Sequence, residues 1–283
     1  MESKQNKKTW FVTGASKGLG LALVKQLLAL GQNVAATSRN PEALIAATGG
    51  THENLLPLYT DLAVDASVKQ ALALTVEKFG TIDVAINNAG YGIGGSLEEL
   101  SDEEVRQSFD INVFGTINVI RNVLPYMRER KSGHIINISS IAGYAASTGW
   151  AAYAATKFAV TGLTEVLAED VREFGITATV VLPGGFRTSF LDKDSIVIAD
   201  KKIDNYTTMR EAQQRMLQLD GKQGGDPEKA AALMIRTAFE EHPPLRLILG
   251  SDAYKRATAK VETLAKELEA TKETIISTDH NNN

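Results

Sequence analysis

Short β-branched runs alternate with longer stretches of helical period along this chain, and that alternation constrains its fold more than any other feature. It begins with Thr9–Thr13, Leu19–Leu30 and Asn33–Thr37, a strand, a helix and a strand that make a βαβ unit. Further strands are expected at Leu55–Tyr59, Val84–Asn87, His134–Ser139, Thr177–Leu182 and Arg246–Leu249, each separated from the next by enough chain for a crossover helix. Runs such as Ile135–Ile138 and Ala178–Leu182 are apolar on both faces, which suits a parallel sheet covered by helices on both sides. The pattern therefore predicts an α/β fold, a doubly wound sheet of seven parallel strands.

Connecting helices are expected at about Val64–Phe79, Asp102–Arg130, Ala151–Phe174 and Pro227–Glu240, and Ser101 with Glu104 forms a capping-box pattern. Residues 186–225 break the alternation. They are mixed, polar and weakly helical, end in Gly224-Gly225, and read as an excursion over the sheet edge that serves as a substrate lid. Beyond the last strand, Tyr254, Ala257, Val261, Leu264 and Leu268 recur at intervals of three and four, which predicts an extra amphipathic helix over 251–276. That helix either packs on its own domain or also contacts a second subunit. Residues 277–283, ending in Asn281–Asn283, read as a frayed tail.

A length of 283 residues with 43% hydrophobic residues suits one globular domain over 1–283, with ample burial for a core. Thirty basic residues against 34 acidic ones leave a formal charge of −4, so nothing in the bulk charge attracts nucleic acid or an anionic membrane. The absence of cysteine excludes disulfides, thiolate metal sites and cysteine nucleophiles. His52, His134, His242 and His280 are scattered and lack ligand spacing, so no metal is expected. Met1 to Thr9 is polar and lysine-rich rather than a secretory signal, and no uncharged run approaches the ~18 residues of a membrane span. The expectation is a cytoplasmic protein.

The first strand runs straight into Thr13-Gly14-Ala15-Ser16-Lys17-Gly18-Leu19-Gly20 and then a helix. In that setting glycines let the backbone approach a pyrophosphate, and the helix N-terminus offers unpaired N–H groups to the anion. The spacing is Gly-x-x-x-Gly-x-Gly, and a plain tight turn is the competing reading. At the end of the second strand stand Ser38 and Arg39, where an acidic residue would bond a ribose 2′-hydroxyl. A guanidinium there grips a 2′-phosphate, and Lys17 could reach the same group, so NADP(H) is the expected cofactor.

Ser140 follows the fifth strand, Tyr153 lies thirteen positions on, and Lys157 comes one helical turn later. Tyr-x-x-x-Lys puts both side chains on one helix face, where an ammonium would favour the phenolate and lower the tyrosine pKa. The phenol could then exchange protons with a substrate oxygen. The series Thr-Gly-x-x-x-Gly-x-Gly at 13–20, Asp61-Leu62, Asn87-Asn88-Ala89-Gly90, Asn112, Asn137-Ile138-Ser139-Ser140, Tyr153-x-x-x-Lys157, and Pro183-Gly184 with Thr188 resembles the short-chain dehydrogenase/reductase family, over about residues 8–250.

The resemblance implies a Rossmann-type domain and NADPH-dependent reduction of a ketone or aldehyde, reversible, by direct hydride transfer. It makes Tyr153 the acid, Ser140 the group that orients the carbonyl, and Lys157 a ligand of the nicotinamide ribose that also lowers the tyrosine pKa. Asn112 would hold a water in a proton relay. Gly14, Ser16, Lys17, Gly18, Leu19, Gly20, Ser38, Arg39, Asp61, Leu62, Asn88, Ala89, Gly90, Pro183, Gly184 and Thr188 would bind the cofactor with Tyr153 and Lys157. Asp61 could instead cap the next helix, and Asn88 could pin neighbouring strands; Asn87 is placed with the structural residues.

Tyr91, Ile93, Ala142, Tyr144, Trp150, Phe186, Phe190, Ile196 and Met209 suggest an apolar pocket for a small hydrophobic carbonyl compound or alcohol. Similarity to relatives also implies a homodimer or homotetramer through the helices at 102–130 and 151–174. Two other readings stay open: an NADP(H)-binding sensor or scaffold without turnover, and an NAD-preferring alcohol dehydrogenase.

Overall fold

A computed structural model of the chain describes residues 7–192 and 195–280. The strands are β1 (Thr9–Val12), β2 (Asn33–Ser38), β3 (Leu55–Tyr59), β4 (Val84–Asn87), β5 (Gly92–Gly94), β6 (Gly133–Ile138), β7 (Ile176–Pro183), β8 (Ile196–Ile198) and β9 (Arg246–Leu249). The helices are α1 (Gly18–Ala29), α2 (Pro41–Ala47), α3 (Asp65–Phe79), α4 (Asp102–Phe109), α5 (Gly115–Arg130), α6 (Ala151–Asp170), α7 (Thr207–Leu217), α8 (Pro227–Thr237) and α9 (Ser251–Ile276).

The seven expected strands form one parallel sheet in the order β3-β2-β1-β4-β6-β7-β9. Strand order reverses between β1 and β4, which opens a crevice beyond their carboxyl ends. Adjacent residues of β1 feed opposite layers: Trp10 and Val12 pack with Leu23, Leu27 and Met234 of α1 and α8, while Phe11 packs with Leu72 of α3 and Val119 and Val123 of α5. Burial on both faces is what the unbroken apolar strands require.

Three features depart from the sequence reading. Asp102–Arg130 is not one helix, because a π turn over Asp110–Phe114 separates α4 from α5. The capping box does form, with Ser101 accepting from Glu104 N–H and the Glu104 carboxylate accepting from Ser101 N–H. Helix α2 was not expected, although Asn40 caps it and Pro41 opens it, a start signal legible in the sequence. The segment 186–225 contains an eleven-residue helix, α7, and β8, which pairs with β5 in a separate two-stranded sheet. Strands of three residues, one of them Gly-Ile-Gly, are too short to leave a periodic signal.

Helix α9 packs on its own domain only through its first turns. Ala253 and Ala257 are buried against Ile141, Tyr144 and Ala145, whereas Tyr254, Val261, Leu264 and Leu268 are exposed. Residues 277–280 continue past α9, while the Asn281–Asn283 end and the Met1–Asn6 start lie outside the described residues, as do Lys193 and Asp194 in the expected lid. No described helix is long and apolar enough to cross a membrane.

Polar side chains tie the sheet together at the reversal. The Asn87 amide donates to Asn137 Oδ1 at 2.8 Å, and Asn137 Nδ2 donates to Thr164 Oγ1 of α6 at 2.9 Å, which bears out the structural reading of Asn87. All three residues are buried. Asn137→Ala leaves an amide and a hydroxyl without partners and is expected to cost about 2–3 kcal/mol, read from the denaturant midpoint at unchanged m-value.

Candidate active site

The turn after β1 and the turn after β4 are locked to one another. Thr13 Oγ1 accepts from the N–H groups of Asn88 and Ala89 at 3.0 and 3.1 Å, and Asn88 Nδ2 donates to the carbonyls of Thr13 and Gly14 at 3.0 Å. Asn88 therefore does pin neighbouring strands while its residue lines the cleft. Gly14 sits at φ +63°, where a side chain would also meet Ala89 Cα at 2.8 Å. Gly20 has a different reason: a Cβ there would fall 2.4 Å from the Gly14 carbonyl, so this glycine lets α1 start against the loop.

Above these turns lies a cleft of about 1360 Å³, larger than the ~300–1,000 Å³ common for one small ligand and roomy enough for a dinucleotide with a substrate. Gly14, Ser16, Lys17, Gly18, Leu19, Ser38, Arg39, Asp61, Leu62, Asn88, Ala89, Gly90, Pro183, Gly184 and Thr188 all line it. Gly20 is not among the residues lining the cleft, and its packing against the Gly14 carbonyl and Asn88 already accounts for a glycine there. Asp61 does not cap α3, whose N-cap is Val64 without a side-chain bond; its Oδ1 accepts from Ala63 N–H at 3.0 Å. Ser38 Oγ accepts from Asn40 N–H, and Arg39 is exposed with no ion pair among the described residues.

Ser140, Tyr153 and Lys157 meet in the same cleft. Lys157 is buried and its Nζ donates to the Ile138 carbonyl at 2.9 Å, 5.9 Å from the centre of the Tyr153 ring. Burial pushes the Tyr153 phenol up to about 12, against a smaller opposing pull from a hydrogen bond with Ser140. Burial pushes Lys157 down to about 8. The expected fall in the tyrosine pKa is thus reversed, because loss of water opposes the phenolate. Ser139 is spoken for: its Oγ donates to the Lys157 carbonyl at 2.8 Å and lies 2.9 Å from Thr161 Oγ1. Ser140 Oγ accepts from Ala142 N–H at 3.1 Å.

Asn112 does not line the cleft. It sits in the π turn and is 1% exposed, with Oδ1 accepting from Tyr91 N–H and Nδ2 donating to the Tyr91 carbonyl and to Thr156 Oγ1. The π turn thereby clamps the loop after β4 to α6.

Of the expected apolar wall, Tyr91, Ala142, Trp150, Phe186 and Phe190 line the cleft, with Phe190 6.0 Å from Tyr153 ring to ring. Ile93, Ile196 and Met209 belong to the core beneath, and Tyr144 packs against α9. Sequence reasoning missed Ala212, Arg215, Met216 and Leu219 around α7, and Asp252 and Arg256 of α9. Their helical spacing marked one face of each helix; only tertiary packing says which surface that face meets.

The segment bearing α7 is latched by Glu99. Burial opposes this carboxylate, but N–H groups of Ser96 and Ile203 and the Arg210 guanidinium outweigh it and hold the pKa at about 2. His134, also buried, is pushed down to about 4 and pairs with Thr179 Oγ1 at 2.9 Å. No metal-binding cluster of His, Asp or Glu occurs among the described residues.

The Lys157 shift has a definite sign in stability. Between about 8 in the fold and 10.5 in the open chain, the unfolded state holds more protons, so stability rises with pH. Above 10 the unfolded Tyr153 ionises first and the slope turns downward. Lys157→Met is expected to remove the rise from pH 8 to 10, measured as the shift of the denaturant midpoint against wild type.

Comparison with known proteins bears on this geometry. Residues 8–196 match the short chain dehydrogenase family model. The chain is 36% identical over 259 residues to Oxidoreductase BOA17 of Botryotinia fuckeliana, covering 91% of this chain and 94% of that one. It is 36% identical to 3-ketodihydrosphingosine reductase of Bacteroides thetaiotaomicron over 239 residues, 84% of this chain and 86% of that one. A short-chain dehydrogenase structure from Streptomyces avermitilis superposes with TM-score 0.88 at 36% identity, covering 97% of this chain and all of that one. A family structure from Burkholderia phymatum in complex with NAD gives 0.79 at 25% identity, with 95% and 96% covered. The chain belongs to the short-chain dehydrogenase/reductase family, oxidoreductases that use NAD(P)(H).

Proposed function

We propose that the chain, read as one catalytic domain over 1–283, is an NADPH-dependent oxidoreductase that reduces a hydrophobic ketone or aldehyde to its alcohol, reversibly. The observation that carries this reading is a buried phenol, its protonated form favoured by burial, that shares a large cleft with the Ser140 hydroxyl and Lys157. A phenol with a pKa of about 12 keeps its proton until a developing alkoxide takes it. Tyr153 Oη is the donor of that proton, and Ser140 Oγ orients the carbonyl oxygen between them. Lys157 Nζ, pushed down to about 8, releases a proton more readily than a surface lysine and is the reserve behind the phenol. Asn112 acts as a positioning residue, since it fixes the Tyr91 backbone and α6 together.

Residues around the Gly14 turn fit a dinucleotide: the turn admits no Cβ, and the exposed Arg39 guanidinium stands where β2 ends. Gly14, Ser16, Gly18 and Leu19 would hold the pyrophosphate, Arg39 with Lys17 the 2′-phosphate, and Asp61 with Leu62 the adenine side. Asn88, Ala89 and Gly90 would flank the adenosine, while Lys157, Pro183, Gly184 and Thr188 would receive the nicotinamide half. When bound, the cofactor supplies the hydride. Trp150, Phe186, Phe190 and Met216 give the remaining cleft an apolar wall. A relative bearing the name 3-ketodihydrosphingosine reductase makes long-chain ketones sensible trial substrates. Exposed Phe114, Phe158 and Val166 on the α5–α6 side support assembly as a homodimer or homotetramer through those helices.

The test follows loss of reduced nicotinamide absorbance with NADPH or NADH and a panel of hydrophobic ketones and aldehydes. Tyr153→Phe is expected to lower kcat by about two to four orders of magnitude while NADPH still binds. Arg39→Asp is expected to lower kcat/KM for NADPH about ten- to a hundredfold, with NADH spared. Equal loss with both cofactors would overturn the 2′-phosphate assignment, and NADPH binding without turnover of any carbonyl or alcohol would favour a sensing role.

A further inference from the structure

Helix α9 carries an apolar stripe that its own domain leaves uncovered. Ala253 and Ala257 begin the stripe and are buried against Ile141, Tyr144 and Ala145. The same face continues as Val261, Leu264, Leu268 and Ile275, which are 52%, 39%, 62% and 51% exposed, with Thr271 as its one polar member. The stripe runs from Ala253 to Ile275 at intervals of four, four, three, four, three and four residues, and from Ala257 onward these are the d and a places of a heptad repeat. An amphipathic face that runs beyond the surface it started on calls for a second surface.

We infer that α9 pairs side by side and in parallel with α9 of a second copy of this chain. The helix is self-complementary. Val261, Leu268 and Ile275 take a places, two of the three β-branched, and Leu264 takes the central d place between Ala257 and Thr271; β-branched a residues with leucine at d favour two-stranded parallel coils. In that register Glu267 at g meets Lys272 at e of the other copy, twice by symmetry. An antiparallel pairing centred on the uncovered turns would instead set Glu267 against its own copy. Partners of other kinds fit less well: α9 carries five basic and five acidic residues, so it has no net charge to draw it to an anionic membrane or to nucleic acid.

The pairing is independent of the α5–α6 face and of the reaction, so it adds a second self-association surface to the molecule. Its place has a consequence for the cleft. Asp252 and Arg256, on the first turns of α9, line the cleft, and Arg256 donates to the Ala145 carbonyl and to Ser147 Oγ. The helix that pairs is therefore the one that holds the 145–147 loop in place.

Sedimentation equilibrium of the full chain at micromolar concentration tests the inference. Leu264→Glu/Leu268→Glu, at exposed positions that leave the helical circular dichroism and thermal midpoint unchanged, is expected to halve the native mass. Glu267→Lys is expected to weaken association about tenfold, and Glu267→Lys/Lys272→Glu to restore it. Equal masses for wild type and the double leucine variant would overturn the pairing. Failure of the charge swap to restore association would overturn the parallel register. Co-sedimentation with phosphatidylcholine or phosphatidylserine vesicles that the leucine changes abolish, with mass unaltered, would overturn it in favour of a lipid surface.

Discussion

The carboxyl ends of β1, β4 and β6 have to lie flush for any of the cleft to exist, and a continuous set of buried polar side chains holds them so. Thr13 and Asn88 join the turn after β1 to the turn after β4. Asn87, Asn137 and Thr164 carry the same connection from β4 through β6 to α6. Ser139 then bonds the Lys157 carbonyl, fixing α6 at the height where Tyr153 and Lys157 face Ser140. Buried polar groups are costly unless paired, so each of these bonds specifies one arrangement and disfavours sliding of helix on sheet.

Burial also sets the electrostatics. Tyr153 and Lys157 share one helix face, yet their shifts run away from their charged forms in both cases. Spacing alone suggests that the lysine lowers the tyrosine; desolvation, invisible in a spacing, prevails. Glu99 shows the opposite balance in the same molecule. Two backbone N–H groups and a guanidinium converge on it, and a carboxylate whose burial favours the neutral form stays charged. The difference lies in how many donors the surrounding backbone supplies.

Local and distant parts of the cleft differ in how they are built. The proposed cofactor side comes from turns that directly follow strands, so its cleft-lining residues stand out in the sequence by their place after β1, β2, β3 and β4. The proposed substrate side is assembled from α6, the 186–225 segment and α9, and these are brought together by a three-residue strand pair, the Glu99 latch and the Arg256 contacts. Ile93 and Ile196 have the composition of a pocket wall but serve as its support. Apolar character says that a residue is covered, not by what.

The sequence by itself determined the doubly wound parallel sheet, the places of its seven main strands along the chain and the residues around its two glycine-bearing turns. Period and turn chemistry are local properties, and parallel strands buried on both faces announce themselves as continuous apolar runs. Tertiary structure alone decided that Gly20 packs against the Gly14 loop, that Asn112 stands behind the wall in a π turn, and that burial favours the protonated form of the Tyr153 phenol. It also decided that α9 leaves its domain after Ala257 with its apolar face uncovered. Each of these depends on which distant groups approach a residue and how much water they displace, quantities that no sequence spacing contains.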